Sequence, residues 1–464
     1  MALPARHAYK LVAGNRRSVW ATPRARHAAS TDQVAEANLQ LMSLQEVNTA
    51  AELAALGRRS EAAPLLERAV EICAGSMGGD SALARAALHR LALVLYDDQR
   101  FSTAEAVLTR GEPGANEASS LGLADLLLLS KAQLFQGKVS AAVDTGNRAV
   151  DLSQRDEDNT PDTEVVGQAL RQLGAIQMLD GAEDDAETSF LRAARLGSTC
   201  ADQGKGLAAL AAFNIARGDE HSIEEAVDLF KEACATTKEA NGVGGAGGEE
   251  TGLGEASKEA PIAGEGGEGG GDGGEEGGED AAATATAAAA AAAVRLARAS
   301  VLCTAGQGEL ILGRGTALAS ERLGEALRIR EELLPSNHPA TAWTLGLLAR
   351  CHFVAEEAVT AEGLFRAALD GLQAVAEEGQ SVGVGVVGGQ RPGEAAMTVV
   401  IASPIHPYSK AAALRGYSEL LTQWEKREAE GDAVTRRAEA VEASLPLKPP
   451  GGLTMHMLHL DDVY

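Results

Sequence analysis

One spacing of small residues recurs along the chain and constrains its fold more than any other feature. An alanine is followed four residues later by a large or small side chain, and three residues after that by a second small residue. These positions share one face of an α-helix, where small side chains let a neighbouring helix approach closely. The signature occurs at Ala62-Leu66-Ala69, Ala104-Leu108-Gly111, Ala142-Gly146-Ala149, Ala186-Phe190-Ala193, Ala226-Phe230-Ala233, Ala319-Leu323-Ala326 and Ala361-Phe365-Ala368. Its period of about 40 residues predicts an all-α solenoid of about eight stacked helix hairpins.

The signature predicts two arrays of hairpins. The first is predicted at residues 35–240, and Gly57, Gly137 and Gly181 mark helix ends that need a left-handed residue. The second is predicted at 294–444, interrupted near 377–402 by a Gly/Val-rich insert that we interpret as a loop. In the first array the second helices of the hairpins are predicted at Ser60–Cys73, Phe101–Arg110, Val139–Leu152, Asp184–Leu196 and Ile223–Thr237.

A low-complexity insert at residues 241–293 separates the two arrays. Its N-terminal portion is rich in Gly and Glu and cannot bury enough apolar surface to offset its ordering entropy, so we predict disorder there. The alanine run Ala281–Ala293 favours a helix that prolongs the next hairpin. Two interpretations stay open for the acidic portion: an insertion without function, or an electrostatic attraction for a basic partner.

Charge and composition exclude several classes of protein. A net charge of −25 disfavours binding to nucleic acid, because the phosphate backbone would be repelled. The chain has no run of 18 apolar residues, so we expect no membrane span. Its five cysteines are scattered and form no CxxC pair, which argues against a disulfide framework and against a structural zinc site.

The first thirty residues differ from the rest of the chain. Residues 1–30 contain no Asp or Glu but carry six Arg or Lys residues, and the apolar residues are interleaved with the basic ones. This composition is typical of an organellar transit peptide rather than of a secretory signal. We therefore predict a mitochondrial location, with a plastid address or a cytoplasmic protein with a basic tail as alternatives.

The second array resembles the tetratricopeptide repeat in the form found in kinesin light chains. The residues that carry the resemblance run from Ala326 through Leu334-Pro335-Ser336-Asn337-His338-Pro339 to Leu345, and continue with Ala361 to Leu369. In that family an LG-x-x-HP-x-x-A turn joins hairpins that repeat every 42 residues; here Ala319 and Ala361 are 42 residues apart. His406-Pro407 is a second such joint. The resemblance implies a right-handed superhelical solenoid of tetratricopeptide-like hairpins. We predict that a mobile tail follows at 445–464, because it begins with several prolines and glycines.

The sequence offers no convincing catalytic, cofactor or metal site. The resemblance implies that His338 and His406 begin helices, where the following proline preorganises the first turn. Cys351 and His352 are neighbours on a predicted helix and therefore point apart. The tail contains His456, His459, Asp461 and Asp462, but it follows several prolines and glycines, so we expect it to be mobile. We predict a protein that is not an enzyme and that uses no cofactor.

The remaining candidate is the inner groove of the solenoid, lined by the first helices of the hairpins. Grooves of this kind hold an extended peptide or a partner helix. The preferred peptide-groove candidates are Asn214, Arg171, Trp343, Arg350 and Arg415, from a wider set that adds Asn48, His89, Arg90, Gln133 and Gln177. Amide and guanidinium groups are favoured because they bind peptide backbone and carboxylates.

These features lead to a hypothesis of a non-catalytic scaffold that binds a protein or peptide. With a mitochondrial address it is similar to tetratricopeptide assembly and maintenance factors, such as the type that serves respiratory complex III. The alternative is a cytosolic adaptor of the kinesin-light-chain kind. That alternative expects a heptad coiled coil before the repeats, and residues 1–40 contain none.

The N-terminal segment gives the first testable prediction. Residues 1–30 fused to a fluorescent protein are expected to carry it into mitochondria, because the segment is basic and free of acidic residues. A matched fusion with Arg16 and Arg17 replaced by Glu is expected to stay in the cytosol. Microscopy and sequencing of the mature N-terminus check this, and an unprocessed, cytosolic first fusion would contradict it.

Overall fold

The computed structural model describes Ala37 and residues 40–110, 122–155, 163–243, 277–334, 338–377 and 406–447, apart from positions 42, 56, 57, 80, 198, 425 and 446. Over these residues the chain is all α-helical and forms eight hairpins, each with a first helix A and a second helix B. The pairs are α1 (Gln45–Ala55) with α2 (Arg59–Met77), α3 (Ala82–Asp97) with α4 (Phe101–Thr109), α5 (Leu123–Leu134) with α6 (Val139–Arg155), α7 (Thr163–Asp180) with α8 (Glu183–Leu196), α9 (Cys200–Arg217) with α10 (Glu220–Val243), α11 (Gly277–Ile311) with α12 (Thr316–Leu333), α13 (Pro339–Val354) with α14 (Ala358–Glu377), and α15 (His406–Thr422) with α16 (Glu428–Ala443).

The alanine signature lies on the face of each B helix that packs inward. Its described alanines all have zero exposed area: Ala62, Ala69, Ala104, Ala142, Ala149, Ala186, Ala193, Ala226, Ala233, Ala319, Ala326, Ala361 and Ala368. The helices come close enough that a side chain added to Gly204 of α9 would lie 3.2 Å from the Ala233 carbonyl oxygen of α10. In the eighth hairpin Gly431 takes the first alanine's place, since it is buried while Ala433 is exposed. The prediction of stacked all-α hairpins is confirmed.

Helix ends also follow the sequence. The five predicted B helices of the first array coincide with α2, α4, α6, α8 and α10, some of which extend a few residues further. Gly137 and Gly181 have φ of 75° and 83°, the left-handed conformation expected after a helix, whereas Gly57 lies outside the described residues. His338 caps α13 by accepting the Ala340 N–H at its Nδ1 atom at 3.1 Å, and Pro339 stands in the first turn.

The A helices form the inner layer of the stack and the B helices the outer layer. Each A helix from α3 onward contacts the A helix of the next hairpin, while no two B helices of the described chain make comparable contact. A stack whose A helices are closer together than its B helices is concave on the A side. The layer continues past residues 244–276, because α11 contacts both α9 and α10, and α11 includes the run Ala281–Ala293.

The stack curls back on itself at an aromatic cluster. The rings of Tyr96, Phe101 and Phe135, from the ends of α3, α4 and α5, lie within 6.0 Å of one another between centroids. Tyr408, at the start of α15, contacts Phe135 at 6.0 Å and is 8% exposed. Ring contacts of this kind stabilise by about 0.5–1.5 kcal/mol each beyond the area they bury. Curvature therefore brings the eighth hairpin against the third.

Two hairpins replace an apolar contact between A and B with a buried hydrogen bond. Gln133 accepts a hydrogen bond from Thr145 at 2.8 Å, and Gln177 accepts one from Ser189, also at 2.8 Å. In the second hairpin the corresponding two positions, also twelve residues apart, are the apolar residues Leu95 and Val107. A buried amide stabilises only while its partner is present, because an unsatisfied polar group costs roughly 1–3 kcal/mol.

Enlarging one alanine tests the role of the signature. Ala233→Leu is expected to lower stability by about 1–3 kcal/mol, because the close contact with α9 leaves no room for the larger side chain. Ala235→Leu, at an exposed position of the same helix, is the matched control and is expected to change stability by less than about 0.5 kcal/mol. Urea unfolding followed by circular dichroism measures both, and equal midpoints would contradict the assignment.

The hydrogen-bonded pair can be tested with a double-mutant cycle. Ser189→Ala is expected to destabilise by about 1–3 kcal/mol, because it leaves the buried Gln177 carbonyl without its donor. Adding Gln177→Leu is expected to recover at least half of that loss, since the pair then becomes apolar. Ser140→Ala, at an exposed position, is the control. Additive effects of the two substitutions in urea unfolding would show that the pair is not coupled.

Candidate peptide-binding groove

The A-helix side chains that contact the B helices indicate which other side chains of the same A helix face the inner groove. In α7, Gly174 faces the Phe190 ring of α8 and Gln177 bonds Ser189 of α8, so both face the outer layer. With 100° per residue, Arg171 lies about 60° from Gly174 and about 120° from Gln177, and therefore on a flank of α7. In α5, Lys131 is two residues from Gln133, which bonds α6, so Lys131 faces inward.

A pocket opens on the inner layer where three hairpins meet. It has a volume of about 110 Å³ and lies between α11, α13 and α15. Gly416 of α15 approaches Phe365 so closely that an added Cβ would lie 2.7 Å from the ring. The lining includes Gln307, Ile311, Trp343, Gly346, Arg350 and Gly416.

The chemistry of this pocket is apolar at its base and cationic at its rim. Trp343 is 3% exposed and contributes its indole to the base, whereas Arg350 is exposed. Ile311 is 38% exposed, unusual for so large an apolar side chain. An apolar surface beside a guanidinium suits a ligand that carries an apolar side chain next to a carboxylate or a peptide carbonyl.

The structure places the five groove candidates predicted from the sequence in different surroundings. Trp343 and Arg350 lie together in the pocket, and Arg171 is buried in α7. Asn214 of α9 is 3% exposed and does not border the pocket. Arg415 donates two hydrogen bonds to Glu442 of α16, at 3.0 and 2.7 Å, and these bonds raise its pKa.

Sequence reasoning missed Gln307, Ile311, Gly346 and Lys131. Gln307 precedes Ala319 by twelve residues, the same offset at which Asn214 precedes Ala226, so this spacing alone does not identify a pocket residue. Lys131 gave no signal, because a lysine on a predicted helix is usually solvated.

In hairpins two and three, polar side chains of neighbouring A helices lie close together. His89 of α3 and Asp125 of α5 lie 2.6 Å apart, which links two neighbouring A helices. Asp97 ends α3, and burial raises the pKa of its carboxyl well above the usual value, while Arg59 and Lys131 oppose that shift. Its Oδ2 atom has no hydrogen-bond partner among the described residues.

The neighbouring Cys351 and His352 do not form a reactive pair. Burial raises the pKa of the Cys351 thiol to about 11, so the thiol stays protonated near neutral pH. His352 instead contacts Glu357, with its Nδ1 atom 2.7 Å from a carboxylate oxygen. The described residues bring together no group of three or more metal-ligating side chains. His456, His459, Asp461 and Asp462 lie outside them.

None of the described helices combines the length and the apolar character that crossing a bilayer requires.

Solved structures similar to this chain include tetratricopeptide-repeat proteins. One from Parabacteroides merdae is 12% identical and covers 74% of this chain and 98% of its own, with a TM-score of 0.39. The assembly chaperone of RpL4 (Acl4, residues 1–338) is 14% identical over 70% and 97%, with a TM-score of 0.32. The TPR2AB domain of yeast Sti1, in complex with pHSP90, is 12% identical over 63% and 93%, with a TM-score of 0.23.

No family model matches the sequence, and neither does any curated protein. At these identities and TM-scores the likeness says nothing of partners. The chain's own eight hairpins, with a buried alanine ladder and a His-Pro helix start, form an all-α solenoid that resembles the tetratricopeptide repeat.

Proposed function

We propose that this chain is a non-catalytic scaffold that binds a peptide or helix of another protein on its inner layer. The observation that carries the proposal is the pocket between α11, α13 and α15, with Trp343 at its base and Arg350 at its rim. A buried aromatic anchor point beside an exposed arginine is the combination that concentrates binding energy in protein interfaces.

The geometry favours a short linear segment as the ligand. The pocket is narrow, and it takes one side chain rather than a globular surface. The exposed cation at the rim selects for an acidic group or a peptide carbonyl next to that side chain. A segment with one apolar anchor and a flanking acidic residue fits both requirements.

The cellular role we propose is assembly or maintenance of another protein in mitochondria, the respiratory complex III type being one candidate. Its support is the basic, acid-free composition of residues 1–30, which lie outside the described residues. A cytosolic adaptor role would be favoured instead if the chain stayed in the cytosol with its N-terminus intact.

Photo-crosslinking tests the binding proposal. A photoreactive amino acid at position 350 is expected to crosslink peptides of one partner in the organelle, because that position borders the pocket. The same amino acid at position 192, exposed on the outer helix α8, is the matched control and is expected to give none of them. Mass spectrometry of the crosslinked peptides identifies the partner and the segment bound.

A charge reversal at Arg350 provides the second part of the crosslinking test. With the photoreactive group at position 311, Arg350→Glu is expected to lower the crosslink yield about tenfold or more, because a charge-assisted hydrogen bond is replaced by repulsion. Arg192→Glu should leave the yield unchanged. Equal yields at positions 350 and 192, or no effect of Arg350→Glu, would refute a peptide site on the inner layer.

A further inference from the structure

The most exposed large apolar side chains of the described residues lie at one edge of the solenoid. Val359, Val354 and Leu318 are 81%, 59% and 44% exposed, more than any other large apolar side chain described. Val354 ends α13, Val359 is the second residue of α14, and Leu318 is the third residue of α12. All three thus lie at the A-to-B turns of hairpins six and seven, which are neighbours in the stack. Apolar surface concentrated in this way marks a site of interaction.

This edge adjoins the pocket of the inner layer. Gly346 and Arg350 of α13 line the pocket, and Val354 follows Arg350 by one turn on the same face of the helix. Ile311, which ends α11 and also lines the pocket, is 38% exposed. Arg350 and Val354 are about 6 Å apart along the axis of α13, a distance that two residues of an extended peptide span. A segment anchored in the pocket therefore reaches the edge with its next few residues.

The turn of hairpin seven is acidic. Glu356 and Glu357 lie between Val354 and Val359 in the chain, and both are exposed. The Nδ1 atom of His352 is 2.7 Å from a carboxylate oxygen of Glu357, so this second carboxylate already has a partner. Glu356 thus gives the apolar surface beside it a negative charge.

The arginines near this turn are paired elsewhere or belong to another turn. Arg366 of α14 and Arg427 of hairpin eight both contact Glu362, at 2.6 and 2.7 Å. Arg314 stands in the turn of hairpin six, which confines the acidic surface to hairpin seven. An exposed aliphatic surface with a carboxylate suits a lysine or arginine side chain, because its stem is apolar and its end is cationic.

We propose that Val354, Glu356 and Val359 form a second subsite, which binds a basic side chain of the same partner segment whose apolar anchor enters the pocket. The methylene groups of that side chain lie on the two valines, and its charge meets Glu356. This inference rests on the proposed function, because it adds a basic residue to the segment bound there. Along the groove the segment carries an apolar anchor, an acidic residue beside Arg350, and a lysine or arginine about two or three positions later.

The conformation of Glu356 allows the carboxylate to be removed without loss of stability. Its φ is 63°, the left-handed conformation that Gly137, Gly181 and Gly218 adopt in the turns of hairpins three to five. Glycine adopts this conformation at lower cost than a residue with a Cβ atom. Glu356→Gly is therefore expected to leave the midpoint of urea unfolding unchanged or higher.

Selection of random phage-displayed peptides on the full chain tests the subsite. The selected peptides are expected to share an apolar residue, an acidic residue and then a lysine or arginine. Glu356→Gly is expected to lower the enrichment of the basic residue about fivefold or more, because a charge-assisted contact is lost. Glu356→Lys is expected to select an acidic residue there instead. Glu224→Lys, at an exposed position of the outer helix α10, is the matched control and should select the same peptides as the unaltered chain.

The remaining outcomes overturn the proposal in distinguishable ways. Peptides with the apolar and acidic residues, but with a basic preference that neither Glu356 variant changes, would refute the subsite and leave the peptide site standing. Enrichment of no peptide would refute both. A dimer in light scattering that Val359→Asp dissociates would assign the exposed edge to a second copy of the chain and refute the subsite.

Discussion

The contact between alanine faces of neighbouring helices is the interaction on which the rest of the structure depends. The described alanines of the signature lose all their exposed area, and the helices they join come within van der Waals distance of backbone atoms. Each such contact buries little area, but it sets a short distance between layers. Because that distance recurs in every hairpin, small rotations between hairpins accumulate into curvature. The inner layer and its pocket follow from this curvature.

The sequence predicts most of what depends on local spacing. The alanine positions, the B helices and the left-handed Gly137 and Gly181 are all set within one hairpin, so period and turn chemistry suffice. Asn214 shows the limit of this reasoning. Its amide group predicts a groove residue, but the side chain is 3% exposed and does not border the pocket. Exposure to a ligand depends on packing by the neighbouring hairpins rather than on residue type.

Contacts between distant hairpins could not be predicted. Tyr408 and Phe135 belong to the eighth and third hairpins, and their meeting depends on the summed rotation of all hairpins between them. The same applies to the pocket, which needs Gln307, Trp343 and Gly416 from three hairpins.

Arg415 illustrates a second difficulty. Its partner Glu442 lies in the last hairpin, where Gly431 takes the place of the first alanine of the signature.

The inner layer divides into two regions with different physical properties. From α11 to α15 it has an open pocket with an exposed arginine and isoleucine at its mouth. From α5 to α9 its helices are buried over long stretches, and Lys131 and Arg171 are each 2% exposed. An exposed cation at a rim favours a ligand that arrives and leaves. The proposed peptide site therefore belongs to the open region, where an outside segment can bind without displacing packed side chains.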